Sequence, residues 1–143
     1  MANSRGFSLS ELLLVIGVLG FLSAMAIPNY SAFIIRSNRI QAEHILLQNQ
    51  QYLEQVYSQK GSYIDKGRYI HLPHVRVPLE GVQLYQISFL KRDPPDPHTY
   101  TLIATPILNS IQANDGSICV DSDKNLYEHR NGNCSTERNI LIN

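Results

Sequence analysis

Hydrophobic positions divide the chain into three stretches with different periods. Residues 12–22 are apolar without interruption, and residues 24–27 extend the run. From Phe7 to Ile27 the polar members are Ser8, Ser10, Glu11 and Ser23. A helix over that segment would be roughly 31 Å long, about the thickness of the hydrocarbon core of a bilayer. After Pro28 the pattern becomes amphipathic. Leu46, Asn49, Leu53 and Val56 recur at spacings of three and four, and Tyr30, Phe33, Ile34 and Ile40 are assigned to the same face upstream. Arg36, Arg39, Glu43, Gln48, Gln51 and Glu54 are assigned to the opposite, solvent face. Gly61 is a suitable stop, so the pattern predicts one helix over residues 7–59.

The remainder has a shorter period. Residues 61–81 read as an irregular connector. Residues 82–90 alternate, with Tyr85, Ile87 and Phe89 on one face. Asp93-Pro94-Pro95-Asp96-Pro97 requires a turn, and residues 99–105 are rich in β-branched and aromatic side chains, so the two runs predict a hairpin closed by Pro106. Residues 117–120 and 126–129 are two further strands. The predicted fold class is α+β: a long N-terminal helix, half membrane-length and half amphipathic, packed on an antiparallel sheet of three or four strands.

Composition changes this picture little. The chain has 143 residues, with 12 Lys+Arg against 12 Asp+Glu. That balance speaks against a general nucleic-acid binder, which carries a basic excess. The histidines His44, His71, His74, His98 and His129 are scattered. His71-Leu72-Pro73-His74 has no third ligand at suitable spacing, and loop histidines explain it. Asp121-x-Asp123-x-Asn125 opens like a calcium loop, but Leu126 stands where the loop glycine belongs and Gly132 where the closing glutamate belongs. A turn is the better reading. No nucleophile–base set or phosphate-cradling loop is present in the sequence, so the expectation is no enzyme, no cofactor and no metal.

The N-terminal stretch carries the chemistry. Arg5 lies on the flank that the positive-inside rule keeps in the cytoplasm, which makes a plain N-in anchor one reading. A secretory signal peptide cut at Ala24-Met25-Ala26 is another, but Glu11 falls inside its apolar region and the helical pattern continues past the cut. A carboxylate at the centre of a membrane helix costs about 2.5–3.5 kcal/mol, less near the interface, so Glu11 calls for a partner. Cleavage after Gly6 would supply one: the new α-amino group of Phe7, within one chain or between neighbours.

Gly6-Phe7-Ser8-Leu9-Ser10-Glu11, the apolar run and Ile27-Pro28-Asn29-Tyr30 together resemble the class III signal of type IV pilins and pseudopilins. Ser8 and Ser10 depart mildly from that pattern, where threonine and a hydrophobic residue are commoner. The resemblance implies a leader (1–6) removed by a prepilin peptidase between Gly6 and Phe7, N-methylation of Phe7, and a docking role for Glu11 in the growing filament. It implies a transmembrane and filament-core half (7–28), a soluble head (29–143), and a helix that loosens between Gly20 and Pro28 in a filament; Pro28 by itself removes one helical hydrogen bond and should kink the helix near Ala24.

Cys119 and Cys134 would lie in an oxidising compartment if the N-terminal segment anchors or exports the chain. A free thiol pair or half a metal site lacks supporting histidines, so a disulfide is the better reading. The resemblance agrees, since type IV pilins commonly carry one C-terminal disulfide. The order Tyr100-Thr101-Leu102-Ile103-Ala104-Thr105-Pro106, then an aspartate before the first cysteine, looks more loosely like the PilE-type minor pilins.

The function so implied is that of a structural, minor subunit of a type IV pilus. The alternatives are a type II secretion pseudopilin and a DNA-uptake pilin whose basic candidates are Lys60, Lys66, Arg68, Lys91 and Arg92. The implied partners are other pilin subunits, the prepilin peptidase/N-methyltransferase, the inner-membrane assembly machinery and, before assembly, membrane lipid; nucleic acid is not expected. The implied location is the inner membrane, with the C-terminal domain in the periplasm, and then the extracellular pilus.

Overall fold

A computed structural model describes residues 8–91, 94–129 and 134 of the chain. It divides into two compact units, Met1–Ile34 and Ile35–Asn143. One helix, α1 (Leu9–Lys60), contributes to both. It closes at Gly61, whose φ of 67° is open to glycine and whose N–H donates to Tyr57 O at 2.7 Å. That is a left-handed cap satisfying a carbonyl of the last turn.

Among the described side chains of the first unit, the large apolar ones of α1 between Leu9 and Met25 are exposed. Leu9, Leu13, Leu14, Phe21 and Met25 are all more than half exposed. An 18-residue window there has mean hydropathy 2.2 and none of it is buried, so the helix is long and apolar enough to cross a membrane by length and composition.

In the second unit the amphipathic half of α1 packs on a five-stranded antiparallel meander of β3 (Arg76–Val77), β4 (Tyr85–Phe89), β5 (Thr101–Pro106), β6 (Ser117–Asp121) and β7 (Leu126–His129), in that order. A separate hairpin, β1 (Ile64–Asp65) with β2 (Arg68–Tyr69), turns through Lys66 and Gly67, both at positive φ. Two positive values in a two-residue turn are what a twisted hairpin favours.

Strand alternation builds the core. Opposed rows Ile87–Ala104–Ile118 and Phe89–Leu102–Val120 meet Ala42, Leu46 and Leu53 of the helix. The other face of the sheet carries the row Ser88–Ile103–Cys119–Tyr127. Cys119 and Cys134 are joined there with Cα atoms 6.3 Å apart, within disulfide range, and are buried with Ile103 against Leu90 and Tyr127.

Three expectations need correction. The sheet has five strands rather than three or four, because β3 adds to its edge. The connector over 61–81 is not featureless: it holds β1, β2 and β3, each too short to show a period. Asn49, fully buried, fixes that segment by donating to His74 O at 2.7 Å and accepting from His74 N at 3.1 Å. Lastly, the helix faces are partly misassigned. Tyr30, Phe33 and Ile40 are 68%, 65% and 57% exposed, while Arg39 from the supposed solvent face is only 9% exposed.

Candidate functional site

The N-terminal site begins at the first turn of α1. Ser8 N–H donates to Glu11 Oε2 at 2.9 Å, and Glu11 N–H donates to Ser8 Oγ at 3.3 Å. These reciprocal bonds form a capping box, which satisfies two of the orphan donors of a helix start and places a carboxylate at its positive end. Ser8 to Glu11 carries the S-x-x-E spacing of such a box, a signal separate from the charge cost of Glu11. The carboxylate therefore has a local backbone partner in Ser8 N–H. Gly6 and Phe7, the expected cleavage pair, lie outside the described residues. Pro28 lies within α1, whose bounds run through it unbroken. Gly17 and Gly20 have nothing within 4 Å of where a Cβ would stand.

The second site is a buried polar hub that the sequence did not announce. Arg39 projects from α1 toward the loop 107–116 between β5 and β6. Its Nη1 donates to Asp115 O at 2.9 Å and to the Asp115 carboxylate at 3.0 Å. Glu128 of β7 lies 2.6 Å from Nη2, and Glu43, one helical turn on, lies 3.6 Å from Nε. Tyr85 OH also donates to Asp115. Gln112, fully buried, donates through Nε2 to Ile35 O at 3.2 Å and to Tyr85 OH at 2.8 Å, while its Oε1 accepts from Asn38 at 3.1 Å. One loop is thus fastened to the start of the unit's helix and to β4.

Charge and burial oppose each other in this hub. Burial alone would push the Arg39 pKa down; the Asp115 hydrogen bond and the charges of Asp115 and Glu128 more than reverse it, and the net shift is upward. Burial pushes Glu43 up, with Arg39 only partly offsetting it. The Tyr85 hydroxyl is raised by burial and by its bond to Asp115. At the other end of the helix, burial and donation to Glu54 hold Tyr63 up to about 12.

The remaining candidates are local structure. Asp121 Oδ1 accepts from the backbone N–H groups of Asp123 and Asn125, at 3.0 and 2.9 Å, and Oδ2 accepts from Asn125 Nδ2 at 3.0 Å. Its carboxylate is occupied by its own turn. Lys60, Lys66, Arg68 and Lys91 are exposed, the first three at the helix end and the β1–β2 hairpin that follows it; Arg92 lies outside the described residues.

Comparison with known proteins agrees with this geometry. Residues 1–27 match the model described as "Prokaryotic N-terminal methylation motif". The Type IV major pilin protein PilA of Myxococcus xanthus (strain DK1622) is 37% identical over 63 residues, 44% of this chain and 29% of that protein. The fimbrial protein EcpC of Eikenella corrodens is 35% identical over 57 residues, 40% of this chain and 37% of that protein. The matched part of the chain therefore spans about a third of the length of these relatives. The crystal structure of the Neisseria meningitidis non-core minor pilin PilV superposes with a TM-score of 0.51 at 18% identity, covering 73% of this chain and 96% of that one, which shows a shared fold. Residues 28–123, more than half of the chain, match the family model described as "Type IV minor pilin ComP, DNA uptake sequence receptor". The chain belongs to this family of type IV minor pilins.

Proposed function

We propose that the chain is a structural subunit of a type IV pilus, made as a precursor and assembled through its N-terminal helix. The observation that carries the reading is the adjacency of the two family matches. A methylation motif over 1–27 runs directly into a minor-pilin region that begins at residue 28.

On this reading residues 1–6 are a leader removed between Gly6 and Phe7, and Phe7 is then N-methylated. Residues 7–28 anchor the precursor in the inner membrane and afterwards enter the filament core, with Pro28 at the end of that segment. Residues 29–143 form the head, on the periplasmic side before assembly. The pair that meets on this reading is the mature Phe7 amine and the Glu11 carboxylate, whose Oε2 also caps the helix through Ser8 N–H. Neutralisation of that pair, within a chain or with a neighbour, offsets the cost of placing either charge in an apolar setting. The partners are other pilin subunits, the prepilin peptidase that also methylates, and the inner-membrane assembly machinery. Gly6→Ala tests this: unprocessed precursor should accumulate in the inner membrane. Normal processing of that variant would refute it.

The family description favours one second reading, a subunit that receives DNA. Lys60, Lys66 and Arg68 are exposed near one another in the chain and could meet phosphates, although Asp65 lies among them. Retention of duplex DNA that weakens steeply with salt is the expected result for this reading, and no retention at low salt would remove it.

A further inference from the structure

Over four turns within the second unit, the outward face of α1 carries no Lys, Arg, Asp or Glu. The exposed side chains between residues 37 and 53 are Ser37, Ile40, Gln41, His44, Leu47, Gln51 and Tyr52. The charged residues of that stretch, Arg39 and Glu43, are both engaged in the hub: Arg39 with Asp115 and Glu128, and Glu43 with Arg39. Glu54, the next along the helix, accepts from Tyr63 OH. A surface that stays in water is about one-quarter to one-third Lys, Arg, Glu and Asp, whereas the centre of a protein interface is depleted in charge.

The face has a period as well as a composition. Ser37, Ile40, His44, Leu47 and Gln51 recur at alternating intervals of three and four, the seam along which two helices pack. Ile40 and Leu47, 57% and 39% exposed, are its large apolar side chains and stand roughly 10 Å apart along the axis. The seam is held from behind, where Ala42, Ile45, Leu46 and Leu53 pack in the core and Asn49 bonds His74. Gln41 and Gln48 form one flank, and Gln48 meets the His44 ring at 3.1 Å. Coiled coils in water place Glu and Lys on such flanks; glutamines offer a charged partner helix no ion pair.

These features select the occupant. It is a helix, because the seam repeats every 3.5 residues, and it is uncharged, because the exposed seam is. The N-terminal run of this chain is such a helix: residues 12–27 hold no charged residue, and a window of mean hydropathy 2.2 has none of it buried. Run and seam belong to the same helix α1, so the run that covers the seam comes from another subunit. Gly17, Gly20 and Ala24 recur on the run at the same intervals, and a Cβ at Gly17 or Gly20 would meet nothing within 4 Å. Small residues let a second helix approach closely. Gly17 and Ala24 are seven apart, as are Ile40 and Leu47, so two hollows match two knobs in spacing. Subunits repeated along a filament keep one direction, which pairs 17 with 40 and 24 with 47.

We propose that the seam from Ser37 to Gln51 is the docking face for the apolar N-terminal helix of a neighbouring pilin subunit, with Ile40 and Leu47 seated at the positions of Gly17 and Ala24. This rests on the reading of residues 7–28 as a filament-core helix, and it gives that helix a receiver in the head of another subunit.

The test places a photoreactive benzophenone side chain at Ile40 or Leu47 of the full chain, and at Thr105 on the outer sheet face as a control. Irradiated sheared filaments should yield cross-links to residues 12–27 of a second subunit, or to the matching run of another pilin. The yield should be several-fold higher from 40 and 47 than from 105. Capture of head peptides instead, or equal capture of the run from 105, would overturn the proposal. So would equal capture from 40 and 47 in membranes of cells that assemble no filaments. A second arm is His44→Glu, which sets a charge in the middle of the seam at a side chain the lone head leaves exposed. Its urea midpoint should hold, while the ratio of subunit in filaments to subunit in membranes falls on the order of tenfold. Unchanged incorporation would overturn the docking. Absence of the unsubstituted chain from sheared filaments would instead sink the filament reading, and the proposal with it.

Discussion

Replacing Arg39 with methionine removes the guanidinium while keeping an aliphatic stem of similar length. The arginine is 9% exposed and meets Asp115 at 3.0 Å, Glu128 at 2.6 Å and the Asp115 carbonyl at 2.9 Å. Breaking a fully buried ion pair costs about 3–5 kcal/mol, because one charge is left uncompensated. Two features lower that figure here. Glu128 keeps 39% side-chain exposure, so water can solvate it, and Asp115 keeps Tyr85 and Gln112 as donors. The expected loss is about 2–3 kcal/mol. Arg39→Lys should lose less, about 1 kcal/mol or somewhat more, since an ammonium cannot reach both acids with a planar fork. The assay is urea unfolding of the full chain in detergent, followed by the near-ultraviolet circular dichroism of its tyrosines. Far-ultraviolet signal would be dominated by α1. The double variant Arg39→Met/Asp115→Asn should cost clearly less than the two single changes summed, because removing the second charge relieves the first. A loss under 0.5 kcal/mol for Arg39→Met, or strict additivity in the double variant, would refute the hub as the fastening of the 107–116 loop (both thresholds taken from the usual scatter of surface substitutions).

Three further outcomes follow from the same structure. Reducing Cys119–Cys134, which stand 15 residues apart, should destabilise the head by about 3 kcal/mol, read as a lower urea midpoint with added reductant; an unchanged midpoint would contradict it. In an alkaline titration followed at 295 nm, Tyr63 should ionise around 12, with Tyr85 and Tyr100 also late because burial disfavours their charged forms. The folded pKa of Tyr63 lies above its unfolded value near 10. Its contribution to stability is therefore complete below about pH 10 and is lost as pH rises toward 12. A single transition near 10 for all tyrosines would refute the burial argument. Glu11→Val should leave processing intact while impairing entry into filaments, scored as the ratio of subunit in sheared pili to subunit in membranes; normal incorporation would remove the docking role.

What was legible in the sequence was whatever repeats. Leu46 and Leu53, and Tyr85 and Ile87, share the core face as the pattern predicts, because helical and strand periods each recur over several residues. Residues 99–105 and 82–90 did pair as a hairpin, as β5 with β4. Phe33 and Ile40 were placed on the core face for their apolarity, although 3.6 residues per turn sets Ile40 about 240° from Leu46 around the helix. There the composition of the residues overrode their phase. Arg39 falls on the polar face of the local pattern, while its partners Asp115 and Glu128 lie 76 and 89 positions away, where no local pattern can reach. The strands β1 to β3 are two residues each, shorter than a period, and their segment is held by long-range bonds such as Asn49 to His74 and Tyr69 OH to Thr99 O. At the N-terminus, the motif read from Gly6, Phe7 and Glu11 lies within the methylation-motif match over residues 1–27. The capping box that Ser8 and Glu11 also form has its own four-residue signature there.

The central claim is that this chain is a prepilin cut after Gly6. Mass spectrometry and N-terminal sequencing of the mature protein from cell membranes and sheared filaments test it most directly. The account predicts a chain beginning at Phe7 and carrying one added methyl group on its α-amine. A chain beginning at Ile27, or one that still carries residues 1–6 in filaments, would contradict it.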